Sequence, residues 1–439
     1  MAQRSMDIQY TSRTLANGLD VIVHVDRHVP MAAVSVWYHV GSRHEQLGRT
    51  GFAHLFEHLM FKGSAHHPHG YFEALQDAGG LVNGSTNADR TNYWEVVPSP
   101  SLELALWMES DRMGYLLPAL DHAKFATERD VVLNERRQNY ENRPYGLSTF
   151  ALSSALYPPD HPYAWPTIGM PADLLAATVD DVRAFFQAYY HPANASLAIA
   201  GDVDAGEALD LAERYFGEIP AGPRVTHPQR MAVLDAPVRV WLGDRVELPR
   251  LTLAWHTPAM FEDDDAALDI ASDVLANGKT ARLYRALVHE RRLAADVSAL
   301  QASHEMSSVF YVAATAAPGQ PLQAIESEVA RVLDDLATSG PTADEFERAT
   351  ARAEAHFVYH LQTIGGFGGK SDQLNAYNVY TRTPGFLEKD RARYARATPA
   401  SVAAAVRRWL REAPGVALSV VPADAPDRAL PGSTRVSPQ

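Results

Sequence analysis

The pentapeptide His54-Leu-Phe-Glu-His58 combines two imidazoles and a carboxylate at a spacing that suits metal chemistry. Residues four apart lie on one face of a helix, so the two imidazoles can converge on a single ion. Glu57 lies beside them and can reach a water molecule held by that ion. The pattern is the reverse of the His-Glu-x-x-His zinc signature and predicts a zinc site with Glu57 as general base. The alternative interpretation is a pair of core histidines beside an incidental glutamate.

A catalytic zinc needs a third protein ligand, and the helix predicted over residues 122–143 offers two candidates. Glu128 and Glu135 are seven residues apart, two turns along one helix face and about 10 Å from each other. One of them can bind the metal, while the other accepts a hydrogen bond from a ligand imidazole and fixes its tautomer. Without the upstream motif, the two glutamates would be interpreted as a solvated face paired with nearby arginines.

The elements that must position these residues alternate in type along the first half of the chain. Partly alternating, β-branched segments predict strands at residues 19–26, 32–40, 83–88, 91–97 and 195–200. Helical periodicity predicts helices at residues 49–62, 70–78, 101–117, 122–143 and 171–190. Strands and helices mixed in this order predict the α+β fold class.

The second half of the chain repeats this pattern. The Pro/Gly-containing stretch Ile219–Pro228 predicts a linker, and strands are predicted again near 237–243 and 250–256. Thr178 and Thr398 each start a predicted helix that leads into a final strand. Internal duplication is the economical explanation. Coincidence is the alternative, because helices commonly begin at Thr.

A chain of 439 residues is long enough for two domains. The predicted division gives a catalytic domain at 1–222, with the zinc site, and a homologous domain at 232–439. Each is expected to be an α/β-sandwich-like domain, in which helices cover a mainly antiparallel sheet. The helix predicted at Asp265–Leu275, the counterpart of the metal helix, contains neither His nor Glu. The second domain is therefore expected to have no metal site.

Composition excludes several classes of function. The chain has no cysteine, so a metal site must use histidine and carboxylate ligands. The 53 acidic residues against 39 basic ones give a formal charge of -14, which argues against nucleic acid as a partner. No segment approaches the roughly 20 apolar residues of a membrane helix, so we expect a soluble protein without a membrane partner. The compartment stays open between bacterial cytoplasm and periplasm.

The motif followed by Glu135, with Glu128 seven residues earlier, resembles the pitrilysin/insulinase family of inverzincin zinc peptidases, in particular its mitochondrial-processing-peptidase-like branch. Further matches accompany the ligands at Gly51, Phe61–Ser64, Gly79–Gly80, Asn83–Tyr93 and His191–Asn194. The resemblance implies one zinc ion per chain, bound by His54, His58 and Glu135, and places Glu128 in the outer shell. It also implies that Glu57 activates water for peptide hydrolysis, as in the zinc-bearing subunit of the branch.

The segment Asn83-Gly84-Ser85-Thr86 is the expected substrate-binding strand. In the family, this strand lies next to the metal and pairs with an extended peptide through main-chain hydrogen bonds. The substrate would then be a peptide or an unfolded protein. The alternative is an ordinary edge strand that packing shields from other chains.

Two residues that the family uses are missing from the second half. After the segment Asn277–Leu287, related proteins place an arginine and, seven residues on, a tyrosine that stabilise the oxyanion, but this chain has Val288 and Ala295 there. Loss of such donors slows catalysis on the order of a hundredfold or more. We therefore expect a heterodimer with a zinc-free homologue that supplies Arg and Tyr, with a homodimer as the fallback. The alternative is a non-catalytic, zinc-containing subunit that binds peptides or serves in assembly.

Two further motifs carry no predicted chemistry. His66, His67 and His69 lie in a Pro-containing stretch that predicts a solvated turn, with a second metal site as the alternative. The glycine run Ile364–Lys370 lacks the spacing and the Ser/Thr of a phosphate-binding loop and predicts a helix break or loop.

Overall fold

The computed structural model describes residues 7–437. These residues form two compact units, each with a six-stranded sheet. Over the described residues, the first unit comprises 7–134, 167–228 and 356–389, and the second comprises 135–166, 229–355 and 390–437. Two mainly antiparallel sheets covered by helices confirm the predicted α+β fold class.

Twelve strands and fourteen α-helices make up the two units. The strands are β1 Thr11–Thr14, β2 Asp20–Val25, β3 Met31–Tyr38, β4 Leu81–Thr86, β5 Thr91–Pro98, β6 Ala195–Gly201, β7 Val238–Asp244, β8 Arg250–Thr257, β9 Ala294–Ala302, β10 Ser308–Ala316, β11 Val416–Pro422 and β12 Thr434–Arg435, counted over the described residues. The helices, counted over the same residues, are α1 Phe52–Leu59, α2 Tyr71–Asp77, α3 Leu102–Ala119, α4 His122–Arg136, α5 Ser148–Leu156, α6 Pro171–Ala176, α7 Val179–Tyr189, α8 Ala205–Phe216, α9 Asp265–Ala276, α10 Leu322–Ser339, α11 Ala343–His360, α12 Lys370–Thr381, α13 Leu387–Arg396 and α14 Pro399–Val406.

The strand orders of the two sheets correspond. The first sheet has the order β1-β2-β6-β3-β5-β4, and the second has the order β12-β7-β11-β8-β10-β9. In each sheet the last long strand pairs in parallel with the first long strand, as β6 does with β2 and β11 with β7. Thr178 and Thr398 cap the helices that precede these last strands, each through a side chain that accepts a backbone N–H three residues on. This correspondence supports the predicted internal duplication.

The predicted domains, 1–222 and 232–439, divide the sequence into halves, whereas the compact units exchange short stretches between those halves. Helix α5, from the first half, packs against β7, β8 and β11 of the second unit. Helix α12, from the second half, packs against β2, β3 and β6 of the first unit. Each sheet is therefore covered by a helix whose sequence lies far from its strands.

Side-chain alternation places α3 and α12 on opposite faces of the first sheet. Glu95 on β5 contacts Arg112 of α3, whereas its neighbour on the same strand, Trp94, points to the other face. On that other face, Asp372 of α12 accepts hydrogen bonds from Trp37 Nε1 on β3, at 2.7 Å, and from Asn92 Nδ2 on β5, at 2.9 Å. No helix among the described residues is both long and apolar enough to cross a membrane.

Helix α9 occupies the position in the second unit that α1 holds in the first, and it lies mostly buried. Its Asp265 is tied into a polar network, in which the carboxylate accepts hydrogen bonds from Ser303, at 2.5 Å, and from Arg393, at 3.0 Å. A carboxylate held in this way fixes the helix without a metal.

Candidate metal centre

Helix α1 begins at a point where only glycine fits. Gly51, the residue before the helix, has a φ of +90°, a left-handed conformation that other residues rarely adopt. A Cβ atom at Gly51 would lie 2.9 Å from the Cα of Gly169, closer than real Cβ contacts approach. Two glycines packed back to back therefore fix where the metal helix starts.

Two carboxylates hold the backbone at this helix start. The oxygens of buried Glu45 accept hydrogen bonds from the N–H groups of Gly51 and Ala53, both at 2.9 Å. Burial raises the pKa of Glu45 to about 8, and these N–H donors oppose that shift. Asp173 accepts from both the hydroxyl and the N–H of Thr50, at 2.7 and 3.1 Å. This anchor was not predicted from the sequence, although Glu45 lies only six residues before Gly51.

The apolar side of α1 faces an aromatic cluster. Phe56 is fully buried and packs against Phe185, Phe186 and Tyr190, with ring centroids between 5.2 and 6.0 Å. Burial of one phenylalanine ring contributes about 2 to 3 kcal/mol. This packing fixes the rotation of α1 about its axis and so decides which way His54 and His58 point.

Three of the predicted side chains come together at one place. His54, His58 and Glu135 each offer a ligand atom, and these atoms all lie within 4.8 Å of one another. The rings of His54 and His58 are 4.8 Å apart between centroids, at an angle of 78°. All three side chains are half-buried. Two imidazoles and one carboxylate at this spacing fit the donor set of a catalytic zinc, which leaves a fourth position for water.

Glu135 lies on the last turn of α4, directly before a change in helix type. Residues Arg137–Glu141 continue the helix with wider π-helical hydrogen bonding, a distortion that is frequent at functional sites. One oxygen of Glu135 accepts a hydrogen bond from Asn139 Nδ2 at 3.2 Å. The next residue, Arg136, is buried and pairs with Glu141 at 2.9 Å.

Glu128 lies on the same helix and contacts the imidazole of His58. Its Oε2 atom is 3.6 Å from Nδ1 of His58, and its Oε1 atom is 3.1 Å from Nζ of Lys62. The side chain of Glu128 is only 3% exposed. Burial alone would raise the pKa of Glu128, but the interactions with His58 and Lys62 outweigh it and hold the pKa below its ordinary value. The carboxylate is therefore charged at neutral pH.

Glu57 lies half-buried on α1, between the two histidines in sequence. Two buried phenols face its charge, those of Tyr93 and Tyr190. Burial raises the pKa of both tyrosines, and the negative charge of Glu57 adds to the shift. Both tyrosines therefore remain neutral near neutral pH and add no second negative charge beside the carboxylate.

The predicted substrate strand is the edge strand β4, which pairs only with β5 among the described residues. The N–H of Asn87 donates to the carbonyl of Arg90 across the turn that joins the two strands. Because hydrogen-bonded and non-bonded pairs alternate along an antiparallel ladder, the backbone groups of Val82 and Gly84 point away from β5. The outward N–H of Gly84 donates to Oδ1 of Asn83 at 2.8 Å, so this donor at the sheet edge already has an acceptor within the chain.

Side-chain hydrogen bonds join Ser85 of β4 to the turn and to β5. Ser85 Oγ donates to Oδ1 of Asn92 at 2.7 Å, and the guanidinium of Arg90 donates to the carbonyl of Ser85 at 2.8 Å. A Cβ atom at Gly84 would lie 3.1 Å from the ring of Phe61, the second residue after the metal helix. The segment Asn83–Thr86 therefore lies beside the end of α1 and contacts it closely at Gly84.

The two positions that the resemblance matches to an arginine and a tyrosine carry apolar side chains. Val288 packs partly buried against the core of the second unit, and Ala295 is exposed on β9. The histidines of the predicted solvated turn, His66, His67 and His69, belong to no metal-binding group among the described residues. The glycine run is a loop between α11 and α12, as its composition predicts.

Comparisons with known proteins agree with this geometry. Residues 21–161 match the family model "Insulinase (Peptidase family M16)", and residues 176–352 match "Peptidase M16 inactive domain". Zinc protease PqqE of Helicobacter pylori is 31% identical over 371 residues, which cover 82% of this chain and 82% of that protein. An uncharacterized zinc protease of Mycobacterium leprae is 30% identical over 353 residues, covering 80% of this chain and 78% of that protein. The crystal structure of a protease from Helicobacter pylori superposes with a TM-score of 0.87 at 27% identity, covering 95% of this chain and all of that one.

Proposed function

This chain belongs to the insulinase family of peptidases, M16, and from that membership we propose that it is a zinc metalloendopeptidase that cleaves extended peptides. The observation that carries the proposal is the convergence of His54, His58 and Glu135, whose ligand atoms lie within 4.8 Å of one another. Its relatives in Helicobacter pylori and Mycobacterium leprae are named zinc proteases, which supports zinc as the metal.

The three side chains would hold one zinc ion per chain. Because Glu128 contacts Nδ1 of His58, we assign Nε2 of that ring to the metal. When bound, zinc supplies a Lewis acid that makes water nucleophilic near neutral pH and polarises the scissile carbonyl. The charged carboxylate of Glu128 keeps the proton of His58 on Nδ1 and orients the ring.

Glu57 is the proposed general base. It would take a proton from the attacking water and pass it to the nitrogen of the leaving amine as the peptide bond breaks. Its position on α1, one residue before His58, places it on the same rigid element as two of the proposed ligands. The phenols of Tyr93 and Tyr190, kept neutral by burial, add no second negative charge beside it.

The edge strand β4 would hold the substrate in extended conformation. The outward backbone groups of Val82 and Gly84 can pair with a peptide in the manner of strand addition. A carbonyl of that peptide would replace Oδ1 of Asn83 as the acceptor for the N–H of Gly84. Because Gly84 lies against Phe61 at the end of the metal helix, a peptide on this edge would run beside the proposed zinc.

The proposed active form is a heterodimer of the mitochondrial-processing-peptidase-like type, in which this chain is the zinc-bearing subunit. Val288 and Ala295 stand where the family places its arginine and tyrosine, so a zinc-free homologue would supply those donors. Mixing the purified chain with such a homologue should raise peptidase activity by on the order of a hundredfold. Full activity of the chain alone would rule out this part of the proposal.

Cleavage of a quenched fluorescent peptide tests the proposed reaction. The zinc-loaded chain, with its partner present, should cleave the peptide, and Glu57→Gln should lose nearly all activity while it retains zinc. A matched control is Glu73→Gln, an exposed glutamate on α2, which should cleave at the wild-type rate. Zinc binding without any cleavage would instead favour a non-catalytic subunit that binds peptides.

A further inference from the structure

Large apolar side chains are exposed on the face of β4 that points away from the metal helix. The side chains of Leu81 and Phe367 are 67% and 50% exposed. Phe367 lies edge-on to the ring of Trp94 on β5, with centroids 5.5 Å apart. We call Leu81, Trp94 and Phe367 the outer-face patch.

The strand register shows that the patch is continuous with the substrate edge. Leu81 pairs with Val96 and Asn83 pairs with Trp94, so these four residues point to one face of the sheet. Gly84 pairs with Tyr93 and points to the opposite face, toward Phe61. The edge strand thus has the metal helix on one face and the outer-face patch on the other.

The loop that carries Phe367 is built to hold one conformation. Gly366 and Gly368, on either side of Phe367, have φ values of +83° and +74°, which glycine adopts without strain. The loop also lies close to the sheet, because a Cβ atom at Gly365 would meet Ala33 at 2.5 Å and Val96 at 2.7 Å. A side chain at Gly365 would therefore clash with the sheet and displace the loop.

Hydrogen bonds tie the loop to the first sheet. Asp372 accepts from the N–H of Gly368 at 2.7 Å with one oxygen and from Trp37 and Asn92 with the other. Lys370, at the start of α12, pairs with Asp26 at 2.5 Å. These bonds hold the loop, and with it Phe367, in one position, although the ring of Phe367 remains half exposed.

We propose that the outer-face patch is a specificity subsite that receives a large apolar side chain of the peptide substrate, with Phe367 as its specificity-determining residue. The inference rests on the proposed function, since the occupant is the peptide paired with β4. Side chains of an extended peptide alternate between the two faces of the sheet it joins. Every second substrate residue would therefore point to the patch, and those between would point toward the metal helix.

Selectivity profiling tests the inference, because substrate positions on the two faces of the sheet alternate along the peptide. We call positions on the same face positions of one parity. A peptide library is cleaved, and each position is scored relative to the cleaved bond for Phe and Leu against Ser. Wild-type protein should prefer the apolar residue at one or more positions of a single parity. Phe367→Ala should reduce that preference by on the order of tenfold, the effect of losing one partly buried apolar contact. Positions of the other parity should keep their profile.

Phe72→Ala is the matched control. Phe72 is another exposed phenylalanine, but it stacks on Phe61, on the metal-helix side of the strand. Its removal should leave the positions that Phe367 controls unchanged. An unchanged profile in Phe367→Ala, or equal losses at both parities, would overturn the inference. Unfolding temperature and zinc content of both variants should match wild type, since the two rings are exposed.

A binding experiment separates this inference from the proposed reaction. Fluorescein-labelled decapeptides of Ala and Thr, with one central Phe or Ser, are titrated by fluorescence polarisation. In the Glu57→Gln background the Phe peptide should bind about tenfold more tightly than the Ser peptide, and adding Phe367→Ala should abolish the difference. If the wild-type protein cleaves no peptide and still binds the Phe peptide more tightly, the result would contradict the proposed reaction but support the subsite. Equal affinity of the Glu57→Gln protein for both peptides would contradict the proposed subsite.

Discussion

Glu128 contacts His58, with its Oε2 atom 3.6 Å from Nδ1 of the imidazole. Its other oxygen is held by Lys62 at 3.1 Å, so the carboxylate has a fixed position although it lies almost completely buried. A charged group in this place orients the imidazole and raises its basicity as a ligand. It also links helix α4 to helix α1 before any metal binds.

Replacing Glu128 by Gln should weaken zinc binding by about ten- to a hundredfold, the usual effect of removing a charged partner from a ligand histidine. Competition with a chromophoric chelator measures this affinity directly. Asp130→Asn is the matched control, because Asp130 lies on the same helix with a 63% exposed side chain. Equal affinities for wild type and Glu128→Gln would contradict the role given to Glu128.

The substrate edge predicts a difference between two substitutions at one position. The N–H of Val82 points away from β5, so Val82→Pro removes a donor for the substrate without breaking the sheet. Val82→Ala keeps that donor. We expect Val82→Pro to lower kcat/KM by on the order of tenfold, the cost of about one hydrogen bond, while Val82→Ala changes it little. Equal effects of the two substitutions would argue against strand pairing.

His44 lies buried in a cluster of histidines on the first unit, where the geometry fixes its neutral form. Its Nδ1 accepts the N–H of Gly41 at 3.2 Å, so its proton is on Nε2, which lies 3.0 Å from Nδ1 of His227. Burial lowers the pKa of His44 well below its ordinary value, and the charge of Arg43 adds to the effect.

Acid should therefore destabilise the fold through His44. Below about pH 6.5, the ordinary pKa of histidine, the unfolded chain binds a proton at His44 that the native chain does not. The contribution of His44 to the free energy of unfolding is thus complete above that pH and is lost as the pH falls. His44→Asn retains an acceptor for Gly41 but cannot titrate, so its stability should decline less between pH 7.5 and 5.5.

Urea denaturation at the two pH values measures this difference. His69→Asn is the control, since His69 lies exposed on the loop before α2, and its pH dependence should match that of wild type. If the free energy of unfolding declines equally in His44→Asn and in wild type, His44 does not contribute to the pH dependence of stability.

The sequence predicted those parts of the fold and site that depend on local spacing. One helical turn separates His54 from His58, and two turns separate Glu128 from Glu135, so periodicity alone predicts which of these side chains share a helix face. Strands β2 to β6 of the first sheet, in the described part of the chain, were predicted within about two residues, because their burial reflects the alternation of side chains. The edge strand β1 was not predicted, because all four of its residues are exposed and show no such alternation.

What periodicity could not predict was pairing between distant parts of the chain. Helix α12 covers the first sheet, yet its sequence lies more than a hundred residues from the nearest of those strands, and its contacts depend on single polar residues such as Asp372. Glu45 is separated from α1 by a loop whose path the sequence does not specify. The exposed ring of Phe367 becomes informative only when its position beside Trp94 is known.

Zinc stoichiometry of wild type and of Glu135→Ala is the most direct test of the account, because it asks whether residues from two helices share one ion. Purified proteins are dialysed against micromolar free zinc, and the metal is measured by atomic emission. We predict one zinc per chain in wild type and in the exposed control Asp130→Ala, and a large loss in Glu135→Ala. Full zinc in Glu135→Ala, or none in wild type, would contradict the proposed centre.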